Sequence, residues 1–422
     1  MSPRYASADL NMAISNQFWS TFIRVTALGG KSVLMLILAK ELEVEAYGEF
    51  GLIVVTISFT VYILGFEFYT HSVRSIVGTN NKDKEHRIRD QFVFILLGYL
   101  IWLPVIYGFV LLDIIPLKLV LQFYLLLVLE HISTELYRLL VALKKPVSAS
   151  MCFFFRNASW GYVLIVIVLA GTNSLDVETV LLYWILGSAF SIIHGISSLG
   201  LDWPRLFGKE IDWGWIKAGS AVGAGFLAGT LLLRATGIVD RYLIHFYMGD
   251  YAVGIYTLYI SITGVVSTFF ESGLLMHAFP DILEAHKDGD LMLYRKRMKK
   301  FFIQSFLVSL VLIMGAFCLF HFLLVFEIIK SEYGEENICF IVMLVSVLVK
   351  NMSFTPHYGL YVNGQDAKIL LSSVVGFFLA VSLCVILVPK MGILGAAVSV
   401  FAANLGILAA KTKYYMDYSK RY

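Results

Sequence analysis

The residues from Phe18 to Leu38 form an apolar segment that is long enough to cross a bilayer, yet two cations interrupt it. About 20 predominantly apolar residues are needed for a transmembrane helix. Arg24 and Lys31 lie inside this segment, and a cation near the bilayer centre costs roughly 3 kcal/mol on insertion scales. Because the two residues are seven positions apart, they share one face of a helix. The segment therefore predicts a transmembrane helix whose polar face is turned away from lipid.

Apolar segments of this length recur along the whole chain. Hydrophobic residues make up 59% of the 422 residues and charged residues only 15%, a composition that excludes an ordinary soluble domain. Twelve segments are long enough to span a bilayer, and short loops separate them. The sequence thus predicts an all-α polytopic membrane protein with about twelve transmembrane helices. The predicted spans are 18–39, 47–72, 92–113, 117–140, 149–170, 177–199, 217–247, 251–279, 301–326, 337–362, 367–388 and 392–412.

Lysine and arginine are distributed unevenly between the two sets of loops. When residues at the edges of spans are counted with the adjoining loop, 23 of the 33 such residues lie at the termini or at loops after even-numbered spans, 4 lie at loops after odd-numbered spans, and 6 lie deeper within spans. Membrane proteins carry their excess of Lys and Arg in cytoplasmic loops. Both termini are therefore predicted to be cytoplasmic. We interpret the basic loops as topology signals, and no nucleic-acid partner is expected.

Short sequences of the first half reappear in the second half. AYGEFGL at 46–52 resembles AVGIYTL at 252–258, an offset of 206 residues, and the Phe-Glu pair at 66–67 matches the pair at 270–271, an offset of 204. Each half also has two cations seven residues apart in its first predicted span. Arg24 and Lys31 are therefore predicted to share one helix face, and Arg234 and Arg241 another. Repeats of six spans that both start from the cytoplasm are parallel repeats, as in two-lobed transporters.

The segment 200–216 separates the two halves and differs from both in composition. Pro204 and Gly208 interrupt it, and its tryptophans suit a bilayer interface. We predict an N-terminal six-helix lobe at 1–199, a cytoplasmic interfacial linker at 200–216 and a C-terminal six-helix lobe at 217–422. The two pseudo-repeated lobes are expected to surround a central cavity. The tryptophans of the linker are Trp203, Trp213 and Trp215.

Six cations lie within the predicted spans. If all six faced lipid they would cost roughly 15–20 kcal/mol, and snorkelling relieves only those near span ends. Contact with a ligand and a buried ion pair stay open as alternatives for each of them. For the whole set we predict a polar cavity, which would suit phosphate or acidic sugars because Arg binds phosphate bidentately and Lys as a point charge. The six cations are Arg24, Lys31, Arg156, Arg234, Arg241 and Lys350.

Acidic residues also lie within the predicted spans, where ionisable groups usually face a bundle interior or a water-filled cavity. They are candidates for ion pairs with the cations or for coupling to an ion gradient. Glu135 and Arg138, three residues apart, predict a surface pair at the end of the fourth span. His194 is predicted to be a hydrogen-bonded interior residue. The candidate acids are Glu67, Glu130, Asp240 and Glu271.

The sequence contains no enzyme signature. It has no P-loop, and no His, Cys or Asp cluster has metal-ligand spacing. We therefore expect no ATP site, no metal site and no cofactor. The energy source stays open between a proton gradient, a sodium gradient and removal of the product.

Six pieces of sequence, spread over both halves, carry a resemblance to a known family. The pieces are RVTALGGKSVLMLILAKEL (24–42), YGEFGL (47–52), LGFEFYTHSVRSI (64–76), LRATGIVDRYLI (233–244), GQDAKILL (364–371) and PKMGILGAAVSVFAANL (389–405). In these pieces the chain resembles the Wzx-type O-antigen flippases, within the polysaccharide transporter branch of the multidrug/oligosaccharidyl-lipid/polysaccharide exporter superfamily. The resemblance implies a two-lobed exporter fold in the bacterial inner membrane. It also implies that an undecaprenyl-diphosphate-linked oligosaccharide is moved to the periplasmic leaflet, with the six cations around its diphosphate.

The resulting hypothesis is a transporter and not an enzyme. It is an O-antigen repeat-unit flippase of lipopolysaccharide biosynthesis that works by alternating access, with the lipid-linked oligosaccharide, the bilayer and O-antigen polymerase machinery as partners. Two alternatives stay open. A drug/cation antiporter of the same fold would need an acidic cavity, whereas the embedded cations outnumber the embedded acids, with Glu135 included, by 6 to 5. An O-antigen polymerase or ligase typically needs a substantial periplasmic loop, whereas the longest loops here are predicted to be cytoplasmic.

Overall fold

The computed structural model of the chain describes residues 3–77, 84–171 and 175–419, with side chains from residue 15 onward except at 203 and 419. Within these ranges every regular element is a helix. Twelve helical stretches are long and apolar enough to cross a membrane, as the sequence predicts. We number them span 1 to span 12. They are Ser15–Glu41, Val44–Gly65, Lys84–Leu111, Leu117–Ala142, Pro146–Leu169, Val177–Leu199, Trp213–Ala235, Val239–Lys287, Leu291–Val325, Asn337–Val362, Asp366–Met391 and Ile393–Tyr418.

The individual helices show where these spans bend or break. Span 1 is part of a helix that begins at Pro3, and several spans consist of two helices joined by a turn. The helices are Pro3–Glu41, Val44–Gly65, Tyr69–Val77, Lys84–Ile106, Gly108–Leu111, Val120–Ala142, Pro146–Phe154, Trp160–Leu169, Val177–Leu199, Trp203–Leu206, Trp213–Ala235, Val239–Phe270, Met276–Lys287, Leu291–Val325, Asn337–Met352, Phe354–Val362, Asp366–Met391 and Ile393–Ser419. The π-helical turns are Phe155–Ser159 and Glu271–Leu275, and the 3-10 turns are Leu117–Leu119 and Ser331–Gly334.

Helix boundaries follow local chemistry where the sequence supplies a cap. The Asp176 carboxylate accepts a hydrogen bond of 2.8 Å from the backbone N–H of Thr179 and so caps span 6 at its start. Span 6 ends at Leu199, and the following Gly200 adopts φ 64°, a left-handed conformation that glycine accepts without steric cost. Asp290 caps span 9 in the same way, through the N–H of Leu293 at 2.8 Å.

Two predicted spans are wrong in their extent. The second was predicted to run continuously over 47–72, but its helix ends at Gly65 because Phe66 and Glu67 adopt φ values of 50° and 53°. A second helix begins at Tyr69. We call residues 66–68 the span 2 break. Left-handed conformations are costly for residues other than glycine, so tertiary contacts must hold this break.

The predicted seventh span over 217–247 is also interrupted. Its first helix ends at Ala235, and residues 236–238 form a turn before the chain becomes helical again. The new helix is itself broken at Gly249, which has φ 77° and ψ −176°. The expected division between spans at 247–251 therefore falls at Gly249, whereas the turn at 236–238 was not predicted.

The chain forms two compact units. The first contains Met1–Leu42 and Leu52–Leu231, and the second contains Glu43–Gly51 and Leu232–Tyr422. The core of the first unit includes Leu136 and Leu140, and that of the second includes Phe270 and Phe301. The predicted lobes at 1–199 and 217–422, with a linker at 200–216, divide the chain at other places and stay a prediction.

The repeated sequences AYGEFGL and AVGIYTL pack against each other within the second unit. A Cβ added to Gly48 would overlap the backbone carbonyl oxygen of Asp250, and one added to Gly254 would overlap that of Val44. The two contacts are equivalent under the offset of 206 residues. Glycine is needed at both positions because only a residue without Cβ lets two backbones approach this closely.

Candidate functional site

A π-helical turn in span 5 positions the first candidate cation. Arg156 lies in this turn, at Phe155–Ser159, and π-helical turns inside α-helices are frequent at functional sites. Its guanidinium Nε lies 3.6 Å from Oε2 of Glu130, and it also donates a hydrogen bond to the Thr134 hydroxyl. The Arg156 side chain is 14% exposed and that of Glu130 is 11% exposed, so the pair is largely buried.

Glu130 is held as an acceptor by neutral donors of span 6. Its Oε1 accepts hydrogen bonds from the Trp184 indole N–H at 2.9 Å and from the Ser188 hydroxyl at 2.7 Å. A buried carboxylate needs such donors because desolvation otherwise disfavours its charge. Both carboxylate oxygens therefore have partners, and the charge that Glu130 presents toward Arg156 is fixed in place.

Lys31 of span 1 approaches the same carboxylate. Span 1 packs closely on span 5. A Cβ on Gly30 would lie 2.5 Å from the Tyr162 ring, and the Tyr162 hydroxyl donates a hydrogen bond of 2.8 Å to the Thr26 carbonyl oxygen. The ammonium of Lys31 is attracted by Glu130 and repelled by Arg156. Glu130 thus interacts with two cations, Lys31 and Arg156.

Arg24 lies two turns earlier in span 1 and has neutral partners. Its Nε donates to the Ser150 hydroxyl at 3.0 Å, and its guanidinium carbon lies 5.7 Å from the centre of the Tyr137 ring. Within the described ranges, no carboxylate forms an ion pair with Arg24. The prediction that Arg24 and Lys31 both turn toward protein is consistent with these contacts.

The candidate cations of the first unit outnumber their acidic partner. Arg156 and Lys31 both interact with Glu130, whereas Arg24 has only neutral partners among the described residues. Burying an unbalanced charge is costly in a low-dielectric environment. An excess of positive charge in this place is an arrangement that an anionic ligand would stabilise.

The candidate cations of the second unit are arranged differently. Lys350 lies 3.8 Å from the Glu271 carboxylate and 3.5 Å from the Ser267 hydroxyl, and the Lys350 and Glu271 side chains are 43% and 49% exposed. Glu271 begins the π-helical turn Glu271–Leu275. This pair is charge-balanced, unlike the group around Glu130.

Arg234 and Arg241 do not share a face of one helix, which corrects the prediction. The turn at 236–238 separates them, and the Arg241 guanidinium donates to the Gly237 carbonyl oxygen of that turn at 3.0 Å. Asp240 accepts a hydrogen bond of 2.8 Å from the Tyr256 hydroxyl. Its second oxygen accepts from the backbone N–H of Arg241 in the first turn of the new helix. Arg234 is exposed near the end of its helix.

Glu67 and Glu135 are both buried in the structure. Glu67 is buried in the span 2 break at 5% exposure. Glu135 and Arg138 do form the predicted pair, at 2.5 Å, but Glu135 is only 2% exposed. The prediction of a surface pair is therefore wrong, because helix Tyr69–Val77 and span 3 cover this end of span 4.

The linker is pinned to span 3 by one arginine. The Arg89 guanidinium donates to the Asp90 carboxylate and to the carbonyl oxygens of Leu206, Lys209 and Glu210. Of the linker tryptophans, Trp213 is 56% exposed, whereas Trp215 is buried against the Phe68 ring. Trp203 lies outside the described side chains.

The neutral partners of these cations were not found from the sequence, although Glu130 was among the candidate ion-pair acids. Glu130, Thr134 and Tyr137 lie at positions i, i+4 and i+7 of span 4 and form one polar stripe on that helix. This stripe contacts both Arg156 and Arg24. The periodicity was visible in the sequence, and it would have identified span 4 as the helix that faces spans 1 and 5.

Comparisons with known structures agree with this architecture. The chain is similar to the lipid II flippase MurJ, with a TM-score of 0.73 and 13% identity over 95% of this chain and 87% of that one. It is also similar to a multidrug resistance MATE family transporter of the MOP superfamily, with a TM-score of 0.74 and 12% identity over 96% of this chain and 97% of that one. These likenesses establish a shared fold of pseudo-repeated helical lobes.

No protein of curated function matches the chain. A family model described as polysaccharide biosynthesis protein matches residues 13–286, which is well over half of the 422 residues. The matched region includes spans 1 to 7 and the group of charges around Glu130. The twelve apolar helices and the shared fold identify a multi-pass membrane protein, and the chain belongs to the polysaccharide biosynthesis protein family.

Proposed function

We propose that this protein is a flippase that moves an undecaprenyl-diphosphate-linked O-antigen repeat unit from the cytoplasmic to the periplasmic leaflet by alternating access. Family membership and the fold shared with MurJ support a lipid-linked substrate. The embedded cations support an anionic head group. The chain would act in the inner membrane as a transporter and not as an enzyme.

The observation that carries this proposal is the excess of positive charge around Glu130. A diphosphate would pair with the cations that Glu130 leaves unbalanced. Arg24 and Arg156 can each present a planar fork of N–H donors to phosphate oxygens, whereas Lys31 supplies a point charge. These groups replace part of the water that the diphosphate loses in the membrane.

Glu130 has a second part in this proposal. Because it is fixed by Trp184 and Ser188, it orients Arg156 and lowers the cost of the empty site. It also limits the affinity for the diphosphate, since the ligand competes with a carboxylate for the same cations. A transporter needs this balance because the substrate must be released after it has crossed.

Complementation of a flippase-null strain carrying a known O-antigen cluster tests the proposal. Expression of this chain should restore long O-antigen when the cluster supplies the right repeat unit. Arg24→Ala should abolish restoration at normal protein levels, and Arg24→Lys should keep part of it because a cation remains.

Other outcomes would point to other functions. Restoration of chain length in a strain whose surface lipid carries single repeat units would indicate a polymerase. Drug resistance without any change in lipid-linked intermediates would indicate an antiporter of cationic drugs. Either result would overturn the flippase proposal.

A further inference from the structure

Span 9 begins with a basic segment that is helical in the structure. The sequence predicts a span over 301–326, with the cations before it in a loop. In the structure the helix already begins at Leu291 and continues to Val325. The cations therefore lie on the first three turns of a membrane-spanning helix, where each has a fixed direction. They are Arg295, Lys296, Arg297, Lys299 and Lys300.

This helix is longer than a bilayer requires. It has 35 residues and so measures about 52 Å, whereas the hydrocarbon core of a bilayer is about 30 Å thick. The predominantly apolar residues from Phe301 to Val325 are enough to cross this core. Residues 291–300 therefore lie at the level of the lipid headgroups or beyond it.

One side of the helix packs on the second unit, and the opposite side is exposed. The buried side includes Tyr294, Met298 and Phe301. The exposed side is apolar over 302–311, and such a face contacts lipid, since a water-filled cavity favours polar and ionisable residues. The exposed apolar residues are Phe302, Ile303, Phe306, Leu307, Leu310 and Val311.

Four of the cations continue this lipid-facing side toward the headgroups. Arg295, Lys296, Lys299 and Lys300 are exposed. With about 100° between successive residues, they occupy the same arc of the helix as the exposed apolar residues. Lys300 precedes Phe302 by two residues, which is about 3 Å along the helix axis. The four side chains thus point out of the protein at the edge of its lipid-facing surface.

These four cations lack a counter-charge within the part of the chain that the structure describes. Their side chains form no ion pair and no hydrogen bond there. Arg297 differs, since it pairs with Asp281 of helix Met276–Lys287 at 2.6 Å. The acids Glu284, Asp288 and Asp290 precede the helix, and the segment 291–300 contains no acid.

The exposed cations also repel one another. Lys296 lies three residues before Lys299 and four before Lys300, and side chains at these spacings are neighbours on a helix. Arg295 and Lys299 form another pair at a spacing of four. Like charges at such spacings destabilise a helix. A phosphate among the three ammonium groups would remove this repulsion and supply charge-assisted hydrogen bonds.

We propose that the exposed side of span 9 over 295–303 binds an anionic phospholipid. The phosphate is held among Lys296, Lys299 and Lys300, and an acyl chain lies along the apolar side that begins at Phe302. The continuity of the basic and apolar surfaces favours a lipid over a soluble anion or an acidic protein, because a lipid matches both. A topology signal needs cations in the loop, but not their placement on one side of a helix. This inference does not rest on the flippase function.

Native mass spectrometry of the full-length protein in detergent tests the inference without any lipid-linked oligosaccharide. The probes are phosphatidylglycerol, which is anionic, and phosphatidylcholine with the same acyl chains, which is zwitterionic. The wild type should bind phosphatidylglycerol more tightly, by roughly fivefold for each cation engaged. Equal affinities for the two lipids would overturn the inference.

Two triple variants that lose the same charge locate the site. Lys296→Gln, Lys299→Gln and Lys300→Gln together should weaken phosphatidylglycerol binding by at least about tenfold and leave phosphatidylcholine binding unchanged. The control removes three exposed lysines from separate places on the same predicted side of the membrane, and it should keep the wild-type affinity. If both variants lose affinity equally, the cations act only as diffuse surface charge and the inference is wrong. The control lysines, each changed to Gln, are Lys144, Lys217 and Lys413.

Three further measurements separate lipid binding from its alternatives. Arginine at positions 296, 299 and 300 together should keep phosphatidylglycerol binding, because the charge remains; loss of binding would contradict the proposed electrostatic contact. An excess of soluble glycerol phosphate should not displace the lipid, and displacement would indicate a site for free phosphate groups instead. Without added lipid, the triple Gln variant should unfold at or above the wild-type temperature, since it removes like-charge repulsion. A lower unfolding temperature would show that the three lysines are structural.

Discussion

Replacing Lys31 with methionine should separate folding from function, because Lys31 belongs to a group with excess positive charge. Lys31 and Arg156 share the single carboxylate of Glu130. Methionine has a similar length and removes only the charge. A lysine at the centre of a membrane helix costs about 2.5–3.5 kcal/mol on insertion scales, and this cost offsets the attraction that is lost. We therefore expect unchanged or slightly higher stability.

Transport should respond in the opposite direction. A hydrogen bond to a charged group is worth about 1.5–3 kcal/mol, and each 1.4 kcal/mol is about a factor of ten in affinity. Lys31→Met should therefore reduce transport by roughly 10- to 150-fold at equal protein levels. Lys40→Met is the matched control, since Lys40 lies at the end of the same helix and its side chain is 55% exposed.

Glu130→Gln should lower the stability that Lys31→Met leaves unchanged. Among the described residues, it leaves Arg156 and Lys31 without an acidic partner, and breaking a buried ion pair costs about 3–5 kcal/mol. Thermal unfolding of the purified variants in detergent, followed by tryptophan fluorescence, should rank Glu130→Gln well below the wild type and Lys31→Met at or above it. If Lys31→Met loses as much stability as Glu130→Gln, Lys31 is a folding partner of Glu130 and the reasoning from excess charge is wrong.

Three further predictions concern other parts of the molecule. Gly48→Ala should destabilise the second unit by about 1–3 kcal/mol in the same unfolding assay, because the new methyl group meets a backbone carbonyl; Gly264→Ala, whose methyl group meets no atom within 4 Å, should be neutral or stabilising. The backbone N–H of Trp215 and the Arg87 guanidinium hold the pKa of Asp212 below its usual range, so Asp212 stabilises the linker at neutral pH and loses this effect as the pH falls through the lowered pKa. Tryptic cleavage of the linker should therefore increase at acid pH in the wild type and be high at every pH in Asp212→Asn. Lys411 is buried at 8% exposure, and within the described ranges it forms no ion pair, so Lys411→Met should raise the unfolding temperature.

The twelve spans could be predicted because their signal is simple. Each is a run of apolar residues of bilayer length, and this property does not depend on neighbouring helices. The breaks depend on tertiary contacts and were missed. Nothing local distinguishes Phe66 and Glu67 from helical residues, yet they are left-handed in the fold. The turn at 236–238 had a weak local signal in Gly237, which is unfavourable inside a helix.

The candidate site was predicted by residue type but not by arrangement. A cation inside an apolar segment can be recognised in the sequence because its free-energy cost in lipid is high. Arg24, Lys31 and Arg156 were identified in this way. Their partners Ser150, Thr134 and Tyr137 are uncharged residues that cost little free energy in a membrane span. Residue type alone therefore does not identify them. Helical periodicity does mark some of them, since Thr134 and Tyr137 share a face with Glu130.

Span 4 shows that two adjacent polar residues of a membrane helix can contact different neighbouring helices. Two neighbours in sequence are about 100° apart around the helix axis, so Glu130 and His131 face different helices. One stripe meets the cations of spans 1 and 5, and the other meets span 3 and the span 2 break. A helix with one polar stripe can expose its other faces to lipid. A helix with two stripes must be enclosed on both sides, and any shift along its axis changes both sets of contacts. Span 4 is therefore the element that joins the contacts of His131 to those of Glu130.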